Sequence, residues 1–169
     1  RLPALLDTMA RLLQPGQSAL PTETRQMEPV PPLLPAGLRV LLAEDNVVNQ
    51  KVAARMLEKM GARVDVANNG LEAVRMCLQF RYDLILMDCQ MPEMDGYAAT
   101  REIRRLQALS ASPSGIPIIA LTANTLEGDR ERCLEAGMSD FLGKPLRQQE
   151  LLGLLLRHLP AGAESEHTR

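Results

Sequence analysis

From residue 38 onward, two spacings of apolar residues alternate along the chain. Short runs of adjacent or alternating apolar residues are typical of strands, and apolar residues three or four positions apart are typical of helices. Strands are predicted at five places: Leu38–Ala43, Ala62–Ala67, Tyr82–Asp88, Ile116–Thr122 and Ser139–Gly143. A helix is predicted after each strand: one capped by Asn46 that runs to Met60, one opened by Asn69-Gly70, then Tyr97–Leu109, Thr125–Glu135 and Gln148–His158.

This alternation predicts the fold class. Strands that are separated by helices and joined by short loops form right-handed crossovers, and the result is an α/β, doubly wound parallel sheet of five strands with five helices. We adopt the flavodoxin-like strand order 2-1-3-4-5 from known folds of this kind, since the spacing alone does not dictate it. In the second helix, the apolar spacing predicts that Leu71, Val74 and Leu78 face the core.

The two ends of the chain differ in composition from this central part. Residues 1–14 carry leucines at helical spacing and predict an amphipathic helix, the end of a preceding region. Residues 15–37 are rich in proline and predict an extended linker. The domain is therefore expected to span residues 38–159, and residues 160–169 are expected to form a flexible polar tail.

Polar residues follow four of the predicted strands: Glu44 and Asp45 the first, Asp88 the third, Thr122 the fourth and Lys144 the fifth. Each has an ordinary explanation when taken singly, such as a helix cap or a surface cation, but the carboxyl ends of parallel strands meet at one edge of a sheet. Three carboxylates at that edge repel one another by about 4 kcal/mol per pair, and an oxygen-only cluster of this kind suits Mg²⁺. With a lysine and a hydroxyl beside it, the cluster indicates phosphoryl transfer to a carboxylate.

Composition narrows the partners and the location. Nucleic acid is not expected as a binding partner, because the net charge is −2 and the chain has only two Phe, two Tyr and no Trp for stacking on bases. No apolar run approaches the roughly 20 residues that span a bilayer. The chain begins with Arg and has no leader pattern, so we expect a fragment without an export signal and a cytoplasmic location, with tethering to a membrane-bound sensor kinase left open. Three widely spaced cysteines, Cys77, Cys89 and Cys133, are expected to be reduced thiols.

Three enzyme or cofactor-binding classes fit less well. A haloacid dehalogenase phosphatase needs a second acid two positions after its nucleophile, and Gln90 occupies that position relative to Asp88. A flavodoxin needs a hydroxyl-rich and glycine-rich phosphate loop after the first strand, and a dinucleotide binder needs GxGxxG, but residues 43–46 supply neither. A docking module of the same fold that works without phosphorylation remains the alternative.

Four motifs in chain order resemble those of one family. They are Leu41-Leu42-Ala43-Glu44-Asp45-Asn46, then Leu86-Met87-Asp88 with Met91-Pro92-Glu93-Met94-Asp95-Gly96, then Ala120-Leu121-Thr122-Ala123, and finally Phe141-Leu142-Gly143-Lys144-Pro145. Over about residues 38 to 159 the chain thus resembles the receiver domain of two-component response regulators. The resemblance implies that Asp88 is the phosphoacceptor, that Glu44, Asp45, Asp88 and the backbone carbonyl of Gln90 surround Mg²⁺, and that Lys144 pairs with the acceptor and then with the phosphoryl group.

The resemblance also implies a switch. Thr122 would bond to the phosphoryl oxygen, Phe141 would turn inward, and the surface of the fourth helix and fifth strand would change. Gln90 and Asn124 flank the pocket and are expected to tune the lifetime of the acyl phosphate. The Lys144-Pro145 peptide is typically cis in this family.

The segments around Asn49-Gln50 and Asp88-Cys89-Gln90 look most like receivers of hybrid sensor histidine kinases. This implies that the domain catalyses its own phosphorylation and dephosphorylation at Asp88, while any kinase activity would belong to the parent chain. The expected partners are the phosphohistidine of a sensor kinase and a histidine phosphotransfer domain, because His158 and His167 do not lie in the pattern of a phosphodonor site. The oligomeric state is not predicted.

Overall fold

The computed structural model of the chain describes residues 34–110 and 115–159. One five-stranded sheet runs through them, with every neighbouring pair of strands parallel and the order β2-β1-β3-β4-β5. The strands are β1 Arg39–Ala43, β2 Arg63–Ala67, β3 Leu84–Asp88, β4 Ile118–Thr122 and β5 Asp140–Gly143. The helices are α1 Val47–Lys59, α2 Gly70–Gln79, α3 Gly96–Leu109, α4 Glu127–Ala136 and α5 Gln148–His158. The predicted fold class and strand order are therefore confirmed.

Both faces of the sheet are covered, which is why its central strands read as continuous apolar runs. On one face, Val40, Leu42 and Leu86 pack with residues of α1 and α5, including Leu57 and Leu155. On the other face, a second cluster joins the sheet to helices α2, α3 and α4 through side chains that include Leu41, Ile85, Ala73, Ile103 and Cys133. Every residue of β3 and β4 is buried.

The register of the strands brings their carboxyl ends level. Ala43 at the end of β1 lies beside Met87, and Asp88 at the end of β3 lies beside Leu121. Thr122 at the end of β4 is paired with Gly143 at the end of β5. The residues that follow these strands therefore emerge at one edge, as the sequence predicts.

Of the three residues of α2 predicted to face the core, Val74 is buried, Leu71 is half-buried and Leu78 is exposed, so the prediction is wrong for Leu78. Leu78 is 64% exposed, and the buried stripe of this helix is formed by Gly70, Ala73 and Val74. The stripe can use small residues because α2 begins in close contact with the loop after β3: a Cβ on Gly70 would lie 2.4 Å from the carbonyl oxygen of Met94. Met76 and Cys77 also pack against this core, so Leu78 is exposed because it lies to the side of the buried face of the helix.

The strands are shorter at their amino ends than the sequence predicts, by one or two residues. Tyr82 and Asp83 precede β3 because their polar atoms bind to neighbouring strands: the Tyr82 hydroxyl donates to Asp65, and an Asp83 carboxylate oxygen accepts from the Arg39 backbone N–H. Leu34, assigned to the linker from sequence, is 3% exposed and packs in the α1/α5 core.

Other predictions lie outside the described residues. They concern the helix at residues 1–14, residues 15–33 of the linker and the tail at residues 160–169. Among the residues that the structure does describe, no helix has both the length and the apolar content needed to cross a bilayer.

Candidate functional site

Three carboxylates meet at the carboxyl edge of the sheet. One oxygen each from Glu44, Asp45 and Asp88 lie within 4.8 Å of one another. Glu44 is 2% exposed and Asp88 5% exposed, whereas Asp45 faces solvent. They converge because β1 and β3 are neighbours, so that the turn after Ala43 lies against the end of β3. The sequence predicts this cluster, and the structure brings it together.

Lys144 reaches into the same cluster from the end of β5. Its Nζ lies 2.8 Å from Glu44 Oε2 and 2.8 Å from Asp88 Oδ2. Burial by itself would lower the pKa of Lys144, but the hydrogen bonds to Asp88 and Glu44 outweigh it and the pKa is raised. The backbone N–H of Lys144 donates to Thr122 O at 2.8 Å, and the peptide between Lys144 and Pro145 is cis.

The charges of this pocket do not balance. Three carboxylates face one ammonium group, and two unit charges about 4 Å apart repel by roughly 4 kcal/mol at an effective dielectric of 20. The donor atoms are all oxygens, and the Asp45 carboxylate opens to water. Such a set fits a hard divalent cation that keeps part of its water shell. No other group of three or more His, Cys, Asp or Glu in the described ranges, 34–110 and 115–159, has this geometry.

The backbone around Asp88 is fixed by close packing. The N–H of Gln90 donates to Asp88 Oδ1 at 3.2 Å, and the Gly96 N–H donates to Cys89 O at 3.1 Å. A Cβ on Gly96 would lie 2.1 Å from the carbonyl oxygen of Asp88. Only glycine permits this approach, so the start of α3 holds the acceptor strand end in place.

Thr122 is buried beside the pocket, but its hydroxyl is bound within its own loop. Thr122 Oγ1 donates to Asn124 O at 2.6 Å and accepts from Asn124 N at 3.1 Å. The structure thus places Thr122 at the predicted edge without a hydrogen bond to Asp88. Asn124 and Gln90 are both exposed, and their backbones bond to Thr122 Oγ1 and to Asp88 Oδ1, respectively; their tuning role stays a prediction.

Phe141 lies on β5, half-buried, with the Arg130 guanidinium 5.6 Å from its ring.

The thiol next to the predicted phosphoacceptor is shielded from solvent. Cys89 follows Asp88, its Sγ lies 4.0 Å from Cys133 Sγ, and both cysteines are buried. Burial raises the pKa of Cys89 to about 12, so very little reactive thiolate exists at neutral pH.

One contributor to the site escaped the sequence reasoning. The Gln50 side chain donates to the Glu44 backbone carbonyl at 2.6 Å, although Gln50 lies on α1, six positions away. The only sequence signal for this contact was the family resemblance around Asn49-Gln50. Which acceptor a surface glutamine reaches depends on the path of the turn, and no spacing rule supplies it.

A family model described as the response regulator receiver domain matches residues 40–156, more than half of the chain. The chain belongs to the response regulator receiver domain family. Curated relatives that match this receiver domain include several histidine kinases. Hybrid signal transduction histidine kinase B of Dictyostelium discoideum is 47% identical over 129 residues, which cover 72% of this chain and 7% of that protein. The receiver thus spans only a small part of its relative's length.

Two solved structures are similar to this receiver domain. The receiver domain of the Pseudomonas aeruginosa sensor histidine kinase PA1611, crystallised with magnesium coordinated in its active site cleft, is 53% identical, with a TM-score of 0.63; the match covers 72% of this chain and 97% of that one. The receiver domain of Saccharomyces cerevisiae Ssk1, co-crystallised with the histidine phosphotransfer protein Ypd1, is 32% identical, with a TM-score of 0.64; the match covers 70% of this chain and 86% of that one.

Proposed function

We propose that this receiver domain accepts a phosphoryl group from a phosphohistidine on Asp88. It then relays the group to a histidine phosphotransfer domain or signals through a changed surface of α4 and β5. The observation that carries the proposal is the position of Asp88: it is 5% exposed, its Oδ2 is 2.8 Å from Lys144 Nζ, and two further carboxylates lie beside it. A buried, positioned carboxylate is the nucleophile that such a transfer requires.

The proposed chemistry is simple in its covalent step. A carboxylate oxygen of Asp88 bonds to phosphorus as the bond between phosphorus and the donor's imidazole nitrogen breaks, and the electron pair returns to that nitrogen. Lys144 supplies a positive charge that its raised pKa keeps in place at neutral pH. We propose that the carboxylates of Glu44, Asp45 and Asp88 and the backbone carbonyl of Gln90 hold Mg²⁺. When bound, Mg²⁺ supplies charge that offsets the negative oxygens of the transferred group.

The switch would begin at Thr122. Its hydroxyl proton is directed to Asn124 O, and redirecting it to a phosphoryl oxygen would break that bond and shift the loop before α4. Phe141 is half-buried on the neighbouring strand and would turn inward as this loop moves. Gln90 and Asn124, at the rim, would control the access of water to the acyl phosphate and thereby its lifetime.

The partner must reach Asp88 through the mouth of the pocket. The first turns of α1 border this mouth after Asp45 and expose three apolar side chains, Val47 at 56%, Val48 at 68% and Val52 at 46%. Single exposed apolar residues are ordinary, but three on one helix beside a pocket suit a protein partner. The Ssk1 receiver domain, which is 32% identical to this chain, was crystallised with the histidine phosphotransfer protein Ypd1, and this pair supports a histidine phosphotransfer domain as the partner.

The wider setting is also a proposal. The kinase relatives and the family match over residues 40–156 support a receiver domain of a hybrid histidine kinase. We propose that it spans residues 38–159, with a linker at 15–37 after a helix at 1–14 and a tail at 160–169. We propose a cytoplasmic location for the domain, since its phosphohistidine partners would be found there. The same pocket would return the phosphoryl group to water, so the domain would catalyse its own dephosphorylation.

The test is phosphorylation by acetyl phosphate in the presence of Mg²⁺, followed by intact mass. The unaltered chain should gain one phosphoryl group, and Asp88→Asn should gain none. Asp83→Asn is the matched control, because Asp83 lies at the opposite end of the same strand region and asparagine can still accept from the Arg39 N–H. Equal labelling of Asp88→Asn would remove the acceptor assignment. An unlabelled parent chain would favour the docking module that works without phosphorylation.

A further inference from the structure

The loops after β1 and β3, which would supply the metal ligands, lie side by side at the carboxyl edge, and a further loop is bonded to both of them. We call residues 67–70, which connect β2 to α2, the bridging turn. This turn contributes no carboxylate to the pocket. It contacts the loop after β1, which carries Glu44 and Asp45, and also the loop after β3, which carries Gln90.

The contact with the first loop uses both main chain and side chain. The Glu44 N–H donates to Ala67 O at 3.0 Å. Gln50 Nε2 donates to Glu44 O at 2.6 Å and also to Asn68 Oδ1 at 3.0 Å. A single amide group thus uses both of its protons to tie the turn of a metal-binding carboxylate to the bridging turn.

The contact between the bridging turn and the loop after β3 likewise uses both main chain and side chain. The Gly70 N–H donates to Met94 O at 3.1 Å, and Asn69 Nδ2 donates to Glu93 Oε2 at 3.1 Å. Glu93 has a φ of 67°, a left-handed conformation that residues with a side chain rarely adopt. The bond from Asn69 therefore fixes the one non-glycine residue of this loop whose backbone is strained.

The orientation of each amide in this network is determined by its partners. Gln50 must present nitrogen to the Glu44 carbonyl, and Asn68 then accepts from Gln50 while its own nitrogen donates to Glu72 Oε2 at 2.9 Å. Asn69 Oδ1 accepts from the Glu72 N–H at 2.7 Å, which leaves its nitrogen for Glu93. Each amide in this network therefore donates through its nitrogen and accepts through its oxygen, as its chemistry requires.

We propose that Gln50 and Asn69 are positioning residues for the metal site, holding the loops after β1 and β3 at the separation that Mg²⁺ requires. The inference rests on the proposed function, since it concerns the same pocket. Its physical basis is preorganisation: without these bonds the acidic loops would spread apart under their own repulsion, and cation binding would have to draw them together again.

The experiment measures Mg²⁺ affinity by NMR titration, and stability by urea unfolding in EDTA, for five proteins: the parent, three single variants and the double variant Gln50→Met/Asn69→Ser. Gln50→Met keeps the length of the side chain but removes both donors, and Asn69→Ser keeps an acceptor for the cap of α2 but removes the donor to Glu93. Gln79→Met is the matched control, an exposed glutamine at the end of α2 without a side-chain hydrogen bond in the described part of the chain.

Each single variant should weaken Mg²⁺ binding by about tenfold, as loss of the groups that orient metal ligands does elsewhere. Unfolding in EDTA should change little, because the metal-free loops gain relief from repulsion when they separate; a merely structural role would lower the EDTA midpoint instead. The double variant Gln50→Met/Asn69→Ser should lose less than the product of the two single effects, because both bonds act through one turn.

Parent-like Mg²⁺ affinity in Gln50→Met and Asn69→Ser would overturn the inference, as would an equal loss in Gln79→Met. If Gln50→Met fails to fold, Asn69→Ser decides the matter. The proposed function fails separately: a parent chain that binds no Mg²⁺ contradicts both, whereas a parent that binds Mg²⁺ and variants that bind it equally well contradict the positioning role alone.

Discussion

The two ends of this sheet treat charge in opposite ways. At the amino end, Asp65 Oδ2 accepts from Arg39 Nε at 3.0 Å, from Arg39 Nη2 at 2.7 Å and from the Tyr82 hydroxyl at 3.0 Å. The Arg39 guanidinium also lies over the Phe80 ring, 4.7 Å from its centroid. One acid thus meets one arginine and one hydroxyl, and these contacts tie the edge strand β2 to β1 and to Tyr82, which precedes β3 by two positions.

At the carboxyl end the balance is reversed. Glu44, Asp45 and Asp88 crowd around Lys144 alone, and two of these carboxylates are almost fully buried. Burying charge without full compensation is destabilising. The contrast teaches that the acidic pocket is maintained against folding stability, which is the expected signature of a site kept for binding rather than for the fold.

The largest effect should follow from removing the one positive charge of the pocket. Lys144→Met would leave the Glu44 and Asp88 carboxylates buried without a cation, and we expect a loss of about 2 to 4 kcal/mol in the free energy of unfolding at pH 7 in EDTA. Urea unfolding measures it. Mg²⁺ should restore part of the loss, because it supplies the missing charge.

The direction of the Lys144 pKa shift determines the pH range over which Lys144 stabilises the fold. The pKa of Lys144 is raised in the folded state, so its contribution is complete below the unfolded value of about 10.4 and is lost only as the pH rises through the folded value. Lys51→Met, at an exposed lysine of α1, is the control. A loss no greater than that of this control would mean that the pocket does not depend on Lys144 for its stability.

The same contrast explains what the sequence could predict. The apolar runs of β3 and β4 and the polar residues after each strand are local patterns, and topology brings them to one edge without detailed knowledge of side chains. Glu44, Asp45, Asp88 and Lys144 could therefore be predicted to converge. The shared edge is a property of parallel sheets, so any correct assignment of strands produces it.

Contacts that depend on side-chain direction could not be predicted. Leu78 fits a helical spacing but lies to the side of the face of α2 that packs on the core, which is formed by Gly70, Ala73 and Val74. The bond from Gln50 to the Glu44 carbonyl, likewise, depends on the path of the turn after β1. Sequence patterns report which face of an element is apolar, and they do not report what a polar side chain at a loop will reach.

The same substitution, Asp to Asn, should change the free energy of unfolding in opposite directions at the two ends of the sheet. Asp65→Asn weakens the bonds to Arg39 and Tyr82 and should cost about 1 kcal/mol in the free energy of unfolding. Asp45→Asn removes one of three crowded carboxylates and should raise the free energy of unfolding in EDTA by several tenths of a kcal/mol, roughly the scale of exposed charge interactions. Urea unfolding of both variants in EDTA provides the comparison.

Mg²⁺ should reverse which protein is more stable, the parent or the variant, only for the substitution at the carboxyl end. In saturating Mg²⁺ the parent gains binding free energy that Asp45→Asn has lost, so the variant becomes the less stable protein, while the deficit of Asp65→Asn stays the same. If Asp45→Asn were destabilising in EDTA as well, the pocket would not be strained by its charges and the contrast between the two ends would fail.

The smallest effect concerns a second ion pair at the amino end, where Asp140 Oδ2 lies 2.9 Å from His158 Nε2 and 3.5 Å from Arg157 Nη1. Burial by itself would raise the pKa of Asp140, but the hydrogen bonds from His158 and the Phe141 N–H outweigh it, and the pKa is lowered. The contribution of this carboxylate to stability is therefore present above the unfolded value of about 3.9 and is lost as the pH falls through the lower, folded value.

Asp140→Asn should accordingly cost several tenths of a kcal/mol at pH 7, on the order of a partly exposed ion pair, and this difference from the parent should shrink as the pH falls below about 4. Urea unfolding from pH 7 to pH 3 in EDTA measures it, with Glu135→Gln, at an exposed carboxylate of α4, as the control. A difference that stayed constant down to pH 3 would show that the packing of the α5 end against β5, and not the charge of Asp140, is what the substitution disturbs. The amino end would then owe less of its stability to paired charges than the contrast with the pocket requires.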